Sequence, residues 1–308
     1  MESIKKIAVI YGGSSSEREI SIQSGEGIHA ALNELGYDSS LVDFRNLQNI
    51  SSLCEYDFIF IALHGFEGEG GALQKNLDDL NIPYSGSAWK ACSNTWSKKL
   101  TKEILNKNGI NTPKSINLKK FSKEIAEGGL NNSFFDPLKP FDHLFLKPDA
   151  DGSSVDIFKI SNDENLKNAY KVCTNHNRNY IFEEYIGGRE LTVTIINKEC
   201  FPPIEIITKN EFYDYHAKYI SDETLHIEAN LSSSELIEIK KISAKAFDLL
   251  GCKAWARVDL LQDKDNNFYI IEINTVPGMT EHSCVPKSGG FLGISYNEIV
   301  KMIIDASI

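Results

Sequence analysis

The stretch FYIIEINTVPGMTEHS, residues 268–283, opens as an apolar run with every second residue turned inward, then carries Glu272, Asn274 and a Pro-Gly turn. Side chains alternate across a strand, so positions 272 and 274 share one face while Ile271 and Ile273 share the other. One face packs; the other presents oxygen donors to a hard cation. Taken alone, the stretch reads equally well as a strand leaving the core through a turn that carries polar residues.

The segment before it tips the balance. KAWARVDLLQ, 253–262, reads as a strand joined to 268–274 by the hairpin sequence DKDNN. Arg257 and Asp259 then lie on one face, opposite Glu272 and Asn274. Buried charges are costly unless paired, and Asp, Glu and Asn are hard oxygen ligands suited to a Mg²⁺ held mostly by substrate phosphates. The competing reading is an Arg-Asp-Glu cluster on a solvated sheet face; the number of polar groups on so apolar a hairpin favours the metal site.

A phosphate-bound metal implies a nucleotide, yet the chain has neither G-x-x-x-x-G-K-[ST] nor G-x-G-x-x-G. LFLKPDADGSSVDIFKI, 144–160, supplies another device: Lys147 leaves a strand before the small-residue turn Gly152-Ser153-Ser154, whose N–H groups can close on a polyphosphate. Asp-Gly-Ser is also an ordinary hairpin turn. Lys98 sits in a basic helical stretch, where a solvated lysine is the default. FEEYIGGRE, 182–190, ends a strand in carboxylates and a glycine pair that could grip an adenine amine and ribose hydroxyls. ALHGFEGEGGALQ, 62–74, puts His64 at a strand's carboxyl end before a glycine-rich loop, the ligand-facing position of an open α/β sheet. GGSSSEREIS, 12–21, places Glu17 near a helix N-terminus, where interaction with the helix dipole would also explain it. EFYDYHAKYISDET, 211–224, has four aromatics without periodicity and suits a flap over a site.

Organisation agrees with two kinds of layer. IAVIYGG, a helix over 21–35 and the buried strand in YDFIFIALHG predict a parallel α/β unit for residues 1 to about 95. GALQKNLDDLN and NTWSKKLTKEILNKNG read as one helix each, IPYSGS as a short strand, and 120–142 as an irregular connection. Beyond, short strands alternate with single helices in an α+β pattern, and SSSELIEIKKISAKAFDLLG is a serine-capped amphipathic helix.

The 308 residues carry 42% hydrophobic side chains and a net charge of −11. That balance opposes non-specific binding to nucleic acid or an anionic membrane surface and favours a small-molecule partner. Six cysteines with no C-x-x-C pair argue against a zinc ribbon or disulfide framework and predict reduced thiols in a cytoplasmic protein. The apolar run in MESIKKIAVIYGG is too short for a signal peptide, and no stretch has membrane-spanning length.

In this order, GGSSSEREIS, ALHG with its glycine-rich loop, KP with GSSV, the FEEY strand, YDYHAKY, ARVD and EINTVPGMTEHS closely resemble the D-alanine–D-alanine ligases, of the ATP-grasp fold, over essentially the whole chain. The resemblance implies an N-terminal parallel α/β domain (1–95) and two α+β domains (96–185 and 186–308) with ATP between them. It implies a homodimer and joining of two D-alanine molecules for cell-wall synthesis. Asp259, Glu272 and Asn274 would hold two Mg²⁺ ions, or Mn²⁺ in their place, with Glu272 bridging. Lys98, Lys147, Ser154 and Lys218 would contact phosphates; Glu183, Tyr185, Ile186 and Glu190 would hold adenine and ribose. Glu17 and His64 would take the first D-alanine, and Lys218, Ser283 and Cys284 the second. Arg257 and the Gly278 N–H would stabilise the oxyanion, and Ser153, Glu17 and Tyr219 would tie the flap over the reactants. Tyr219 favours dipeptide over an ester with D-lactate, and retention of Arg257, Asp259, Glu272 and Asn274 argues against a non-catalytic nucleotide-binding regulator. Five positions depart from the family pattern: Gly70 where Asp is usual, Lys75 and Asp156 where Gly is usual, and Trp96-Ser97 where Met-Asp is frequent.

Overall fold

The computed structural model describes residues 4–152, 156–209 and 223–308; Ser153, Ser154, Lys218 and Tyr219 lie outside the described residues. β1 (Lys6–Tyr11) is the centre of a parallel sheet between β2 (Asp38–Asp43) and β3 (Phe58–Ile61). Both faces of β1 and β3 are covered, which is why each reads as an unbroken apolar run. Ile7, Val9, Phe58 and Phe60 pack against Ile28 and Leu32 of α1 (Arg18–Glu34), while Ala8, Ile10, Ile59 and Ile61 face Leu53, Leu73 and Leu77. The strand expected in IPYSGS shrinks to one parallel bridge between Tyr84 and Ile59.

After α2 (Phe66–Glu69) and α3 (Ala72–Asp79), the single helix expected over 94–109 is two helices. α4 (Trp89–Trp96) stops and α5 (Lys98–Lys107) starts across Ser97, whose backbone is extended at φ −89°, ψ 111°. Ser97 Oγ accepts the Leu100 N–H at 3.2 Å, and the Asp149 carboxylate accepts the Lys99 N–H at 2.7 Å, so a distant segment caps α5.

A second sheet, wholly antiparallel in the order β4-β7-β5-β6, comprises β4 (Ser115–Leu118), β5 (Leu144–Pro148), β6 (Phe158–Ile160) and β7 (Tyr180–Glu184), with α6 (Lys123–Gly128) and α7 (Asp163–Val172) beside it. The connection 120–142 is not irregular throughout. It holds α6 and a 3-10 turn at Ser133–Leu138, and Phe135 and Leu138 enter the core with Phe121 and Phe182. Asp156 sits at φ 54°, a backbone that glycine adopts without penalty. Its carboxylate accepts the Thr174 hydroxyl at 2.6 Å and pairs with Arg178, which also reaches Asp151.

The third sheet runs β11-β10-β8-β12-β13, from β8 (Gly188–Ile196), β10 (Ile204–Ile207), β11 (Leu225–Glu228), β12 (Trp255–Asp263) and β13 (Phe268–Asn274), with the short β9 (Glu199–Cys200) pairing with β8. The helix Ser233–Leu249 covers it, opened by a capping box between Ser232 and Glu235. Farther on, the helix Tyr296–Ser307 returns to the first sheet: Ile299, Val300, Ile303 and Ile304 share one core with Ile7, Leu32, Phe60 and Trp255. Among the described residues no helix is long and apolar enough to cross a membrane.

Candidate active site

The hairpin β12–β13 has the register read from its sequence: Arg257 pairs with Asn274, and Asp259 with Glu272. One detail differs. The register shifts after Asp259, so Leu260 pairs with Ile270 and Ile271 is the extra residue of a bulge. Ile270 and Ile273, rather than Ile271 and Ile273, therefore pack into the core. The bulge resets the alternation so that a core strand can still turn Glu272 and Asn274 toward Arg257 and Asp259.

Arg257 grips Asp259 with two parallel bonds, Nε to Oδ1 at 2.8 Å and Nη2 to Oδ2 at 2.7 Å, and Thr192 Oγ1 donates to Oδ1 at 2.6 Å. Such a fork fixes the guanidinium plane. Asn274 Oδ1 accepts the Val276 N–H at 2.9 Å, which turns the chain out of the strand. Lys98 Nζ lies 3.7 Å from Glu272 Oε2 and donates to the Asp151 carbonyl at 2.8 Å, joining the start of α5 to the sheet face. Among the described residues no group of three or more His, Cys, Asp or Glu side chains forms a metal cage. Two carboxylates and one amide instead suit an ion that draws its other ligands from phosphates.

Glu183, at 3% exposure, lies between two lysines, with Oε2 2.9 Å from Lys102 and Oε1 paired with Lys147. Burial would raise its carboxyl, but the Lys102 and Lys147 ammonium groups outweigh this and hold it down at about 2. Tyr185 stands edge-on to Phe145, with ring centroids 5.5 Å apart, and Lys159 lies over its ring at 4.5 Å. Ile186 follows it, half-buried, and Glu190 lies on β8 opposite Leu261.

Glu17 occupies the position before α1 and makes no capping bond with its side chain. Its carboxylate instead faces Gly152, where a Cβ would stand 3.3 Å from Glu17 Oε2. His64, buried, has Nδ1 2.9 Å from the Val276 carbonyl; a carbonyl only accepts, so the proton is on Nδ1. Nε2 is left buried with no partner among the described residues. Burial lowers the imidazole below its ordinary value, against the pull of Glu17. A neutral Nε2 accepts rather than donates, so it must gain a proton to hold a substrate carboxylate.

Gly278 lies against Ser283: a Cβ there would be 2.9 Å from Ser283 Oγ, which accepts the Thr280 N–H at 3.0 Å. Cys284 is buried beside Ile204 and Ile206, and burial pushes its thiol up to about 11, so it is a packing residue rather than a nucleophile.

Two acidic or basic groups of this region carry no role in the sequence reading. Lys102 had a signal, since it follows Lys98 by four residues on one helix and so shares its face. Glu69 gave none. It accepts the Gly65 N–H at 2.8 Å, and burial, followed by the nearby Glu17 carboxylate, pushes it up to about 8. An acid raised in the fold costs stability as pH climbs from its ordinary 4.5 to about 8. Glu69→Gln is thus expected to raise the thermal unfolding midpoint at pH 8 while leaving it nearly unchanged near pH 4; an equal gain at both would show that the proton is not the cause.

Residues 104–305 match the family described as "D-ala D-ala ligase C-terminus". The chain is 37% identical to a D-alanine–D-alanine ligase of Haemophilus ducreyi, with 99% of this chain and 98% of that protein covered. It is 38% identical to one of Francisella philomiragia, with 98% of each covered. Among solved structures, the D-alanine–D-alanine ligase of Bacillus anthracis complexed with ATP superposes with a TM-score of 0.83 at 32% identity, covering 98% of this chain and 97% of that one. The paired carboxylates of the hairpin, the lysine facing them and likeness over the full length converge: this chain belongs to the D-alanine–D-alanine ligase family, enzymes of the ATP-grasp fold.

Proposed function

We propose that the chain joins two D-alanine molecules into D-alanyl-D-alanine with ATP, supplying a peptidoglycan precursor in the cytoplasm, and that it acts as a homodimer. The observation that carries this reading is the single sheet face formed by Arg257, Asp259, Glu272 and Asn274 with Lys98 against it. ATP lies between the units spanning 96–185 and 186–308, with its adenine amine at Glu183, its base against Tyr185 and Ile186, and its ribose at Glu190. Lys98 and Lys147 take phosphate oxygens, joined by Ser154 and Lys218 from outside the described residues. Asp259, Glu272 and Asn274 would hold two Mg²⁺ ions, or Mn²⁺, which when bound supply positive charge against the transferring phosphoryl group.

Glu17 holds the ammonium of the first D-alanine, and His64, protonated as the ligand enters, holds its carboxylate. That carboxylate attacks the γ-phosphorus, the bond to ADP breaks, and an acyl phosphate results. The amine of the second D-alanine, placed through Ser283 and the main chain at Cys284, attacks the acyl carbon. Arg257, braced by Asp259, and the Gly278 N–H receive the oxyanion before phosphate leaves. Ser153, Glu17 and Tyr219 tie the cover that keeps water from the acyl phosphate.

The test is phosphate release from ATP with Mg²⁺, comparing D-alanine, L-alanine and D-alanine plus D-lactate, with products identified by mass. Release with D-alanine alone, giving the dipeptide and no ester, is the expected result. Release only with a different amino acid would discard the substrate, and no release from folded protein that binds ATP would discard the ligase activity for this chain.

A further inference from the structure

The Lys102 side chain is as deeply buried as that of Glu183, and its three donors are fully used. Its Nζ lies 3.0 Å from Thr112 Oγ1, 2.9 Å from the Pro113 carbonyl and 2.9 Å from Glu183 Oε2. At 2% exposure it has no access to a ligand. Lys147 differs. Its side chain is 14% exposed and it holds the other oxygen of Glu183 from the neighbouring strand β5. One carboxylate thus has two counter-ions, one locked in place by three acceptors and one partly exposed.

We infer that Lys102 is the permanent counter-ion of Glu183 and Lys147 the exchangeable one, and that Lys102 thereby sets the preference for a 6-amino over a 6-oxo purine. The inference rests on the nucleotide-binding reading above. When phosphates draw the Lys147 ammonium away, Glu183 Oε1 becomes the acceptor for the exocyclic amine of adenine. At that moment a buried carboxylate without Lys102 would take up a proton, because desolvation disfavours its charge. A protonated carboxyl donates as well as accepts and would welcome the O6 of guanine; an ionised one only accepts and repels it. Lys102 touches neither base nor phosphate, so it is a positioning residue acting through Glu183.

The experiment is equilibrium binding of ADP and GDP with Mg²⁺ and no D-alanine, which reads base selection apart from ligation. The wild-type chain is expected to prefer ADP by about 10²-fold, and Lys102→Met to narrow that ratio about tenfold, since a site built to pair a polar group rejects the analogue lacking it. Lys102→Arg, which keeps the charge, is expected to retain most of the ratio. Glu183→Gln and Lys102→Met/Glu183→Gln guard against misfolding of the single variant, because the double variant leaves no buried carboxylate short of a partner. If Lys102 acts through Glu183, the double variant discriminates no worse than Glu183→Gln alone. A wild-type ratio in Lys102→Met, or a further loss in the double variant, would overturn the inference. Failure of the wild-type chain to bind either nucleotide would remove the nucleotide reading itself, and the inference with it.

Discussion

Glu272→Gln is expected to lower turnover by roughly 10³-fold or more, the scale of a lost metal-centred charge stabilisation, while leaving the folded state intact. The side chain stands at a half-buried position directly opposite Asp259 and 3.7 Å from Lys98. Glutamine has the same shape, so the packing of Ile270 and Ile273 beneath it is undisturbed. What disappears is a negative charge at the place proposed above for the cation-bound phosphates. Initial rates across a Mg²⁺ titration, with circular dichroism and the unfolding midpoint as controls, check both halves. Near-normal turnover at saturating Mg²⁺ would dismiss the proposed metal role of the hairpin.

Arg257→Met is expected to reduce kcat by about 10²- to 10³-fold, the cost of removing one oxyanion donor. Its effect on the fold separates it from Glu272→Gln. Asp259 is buried and, among the described residues, keeps Thr192 alone once the guanidinium fork is gone, so stability falls as well, by about 1–3 kcal/mol. Arg257→Lys keeps the charge but not the two parallel bonds, and should recover stability more than rate. Steady-state kinetics beside denaturant unfolding distinguish the two effects. A kcat within tenfold of wild type in Arg257→Met would take the oxyanion from this residue.

The hairpin was legible because strand alternation and a turn sequence are local signals, and Arg257, Asp259, Glu272 and Asn274 needed nothing else to be brought together. The bulge at Ile271 was hidden, since Phe268 to Asn274 reads as one continuous strand and the pairing with Leu260 is what reveals the extra residue. The break at Ser97 was hidden for a related reason: helix propensity favours continuity through KKLTKEIL, and the competing cap is Asp149, far along the chain. β2, with the sequence DSSLVD and half-buried residues, carries almost no pattern. Its place is set by β1. Lys102 showed its position on the helix but not its partner, because Thr112, Pro113 and Glu183 meet it only after β4 and β7 pair.

The shared core of the first sheet and the helix Tyr296–Ser307 bears on how the protein is made. A ribosome delivers Ile7 and Val9 nearly three hundred residues before Ile299 and Ile304, yet all four are buried in one core. During synthesis the apolar surface of α1 and β1 therefore stays uncovered until nearly everything between has emerged, a period of exposure that invites aggregation. Nascent chains halted before residue 296 should accordingly be held by chaperones or cleared by proteases, while emergence of the helix Tyr296–Ser307 lets the sheet around β1 close.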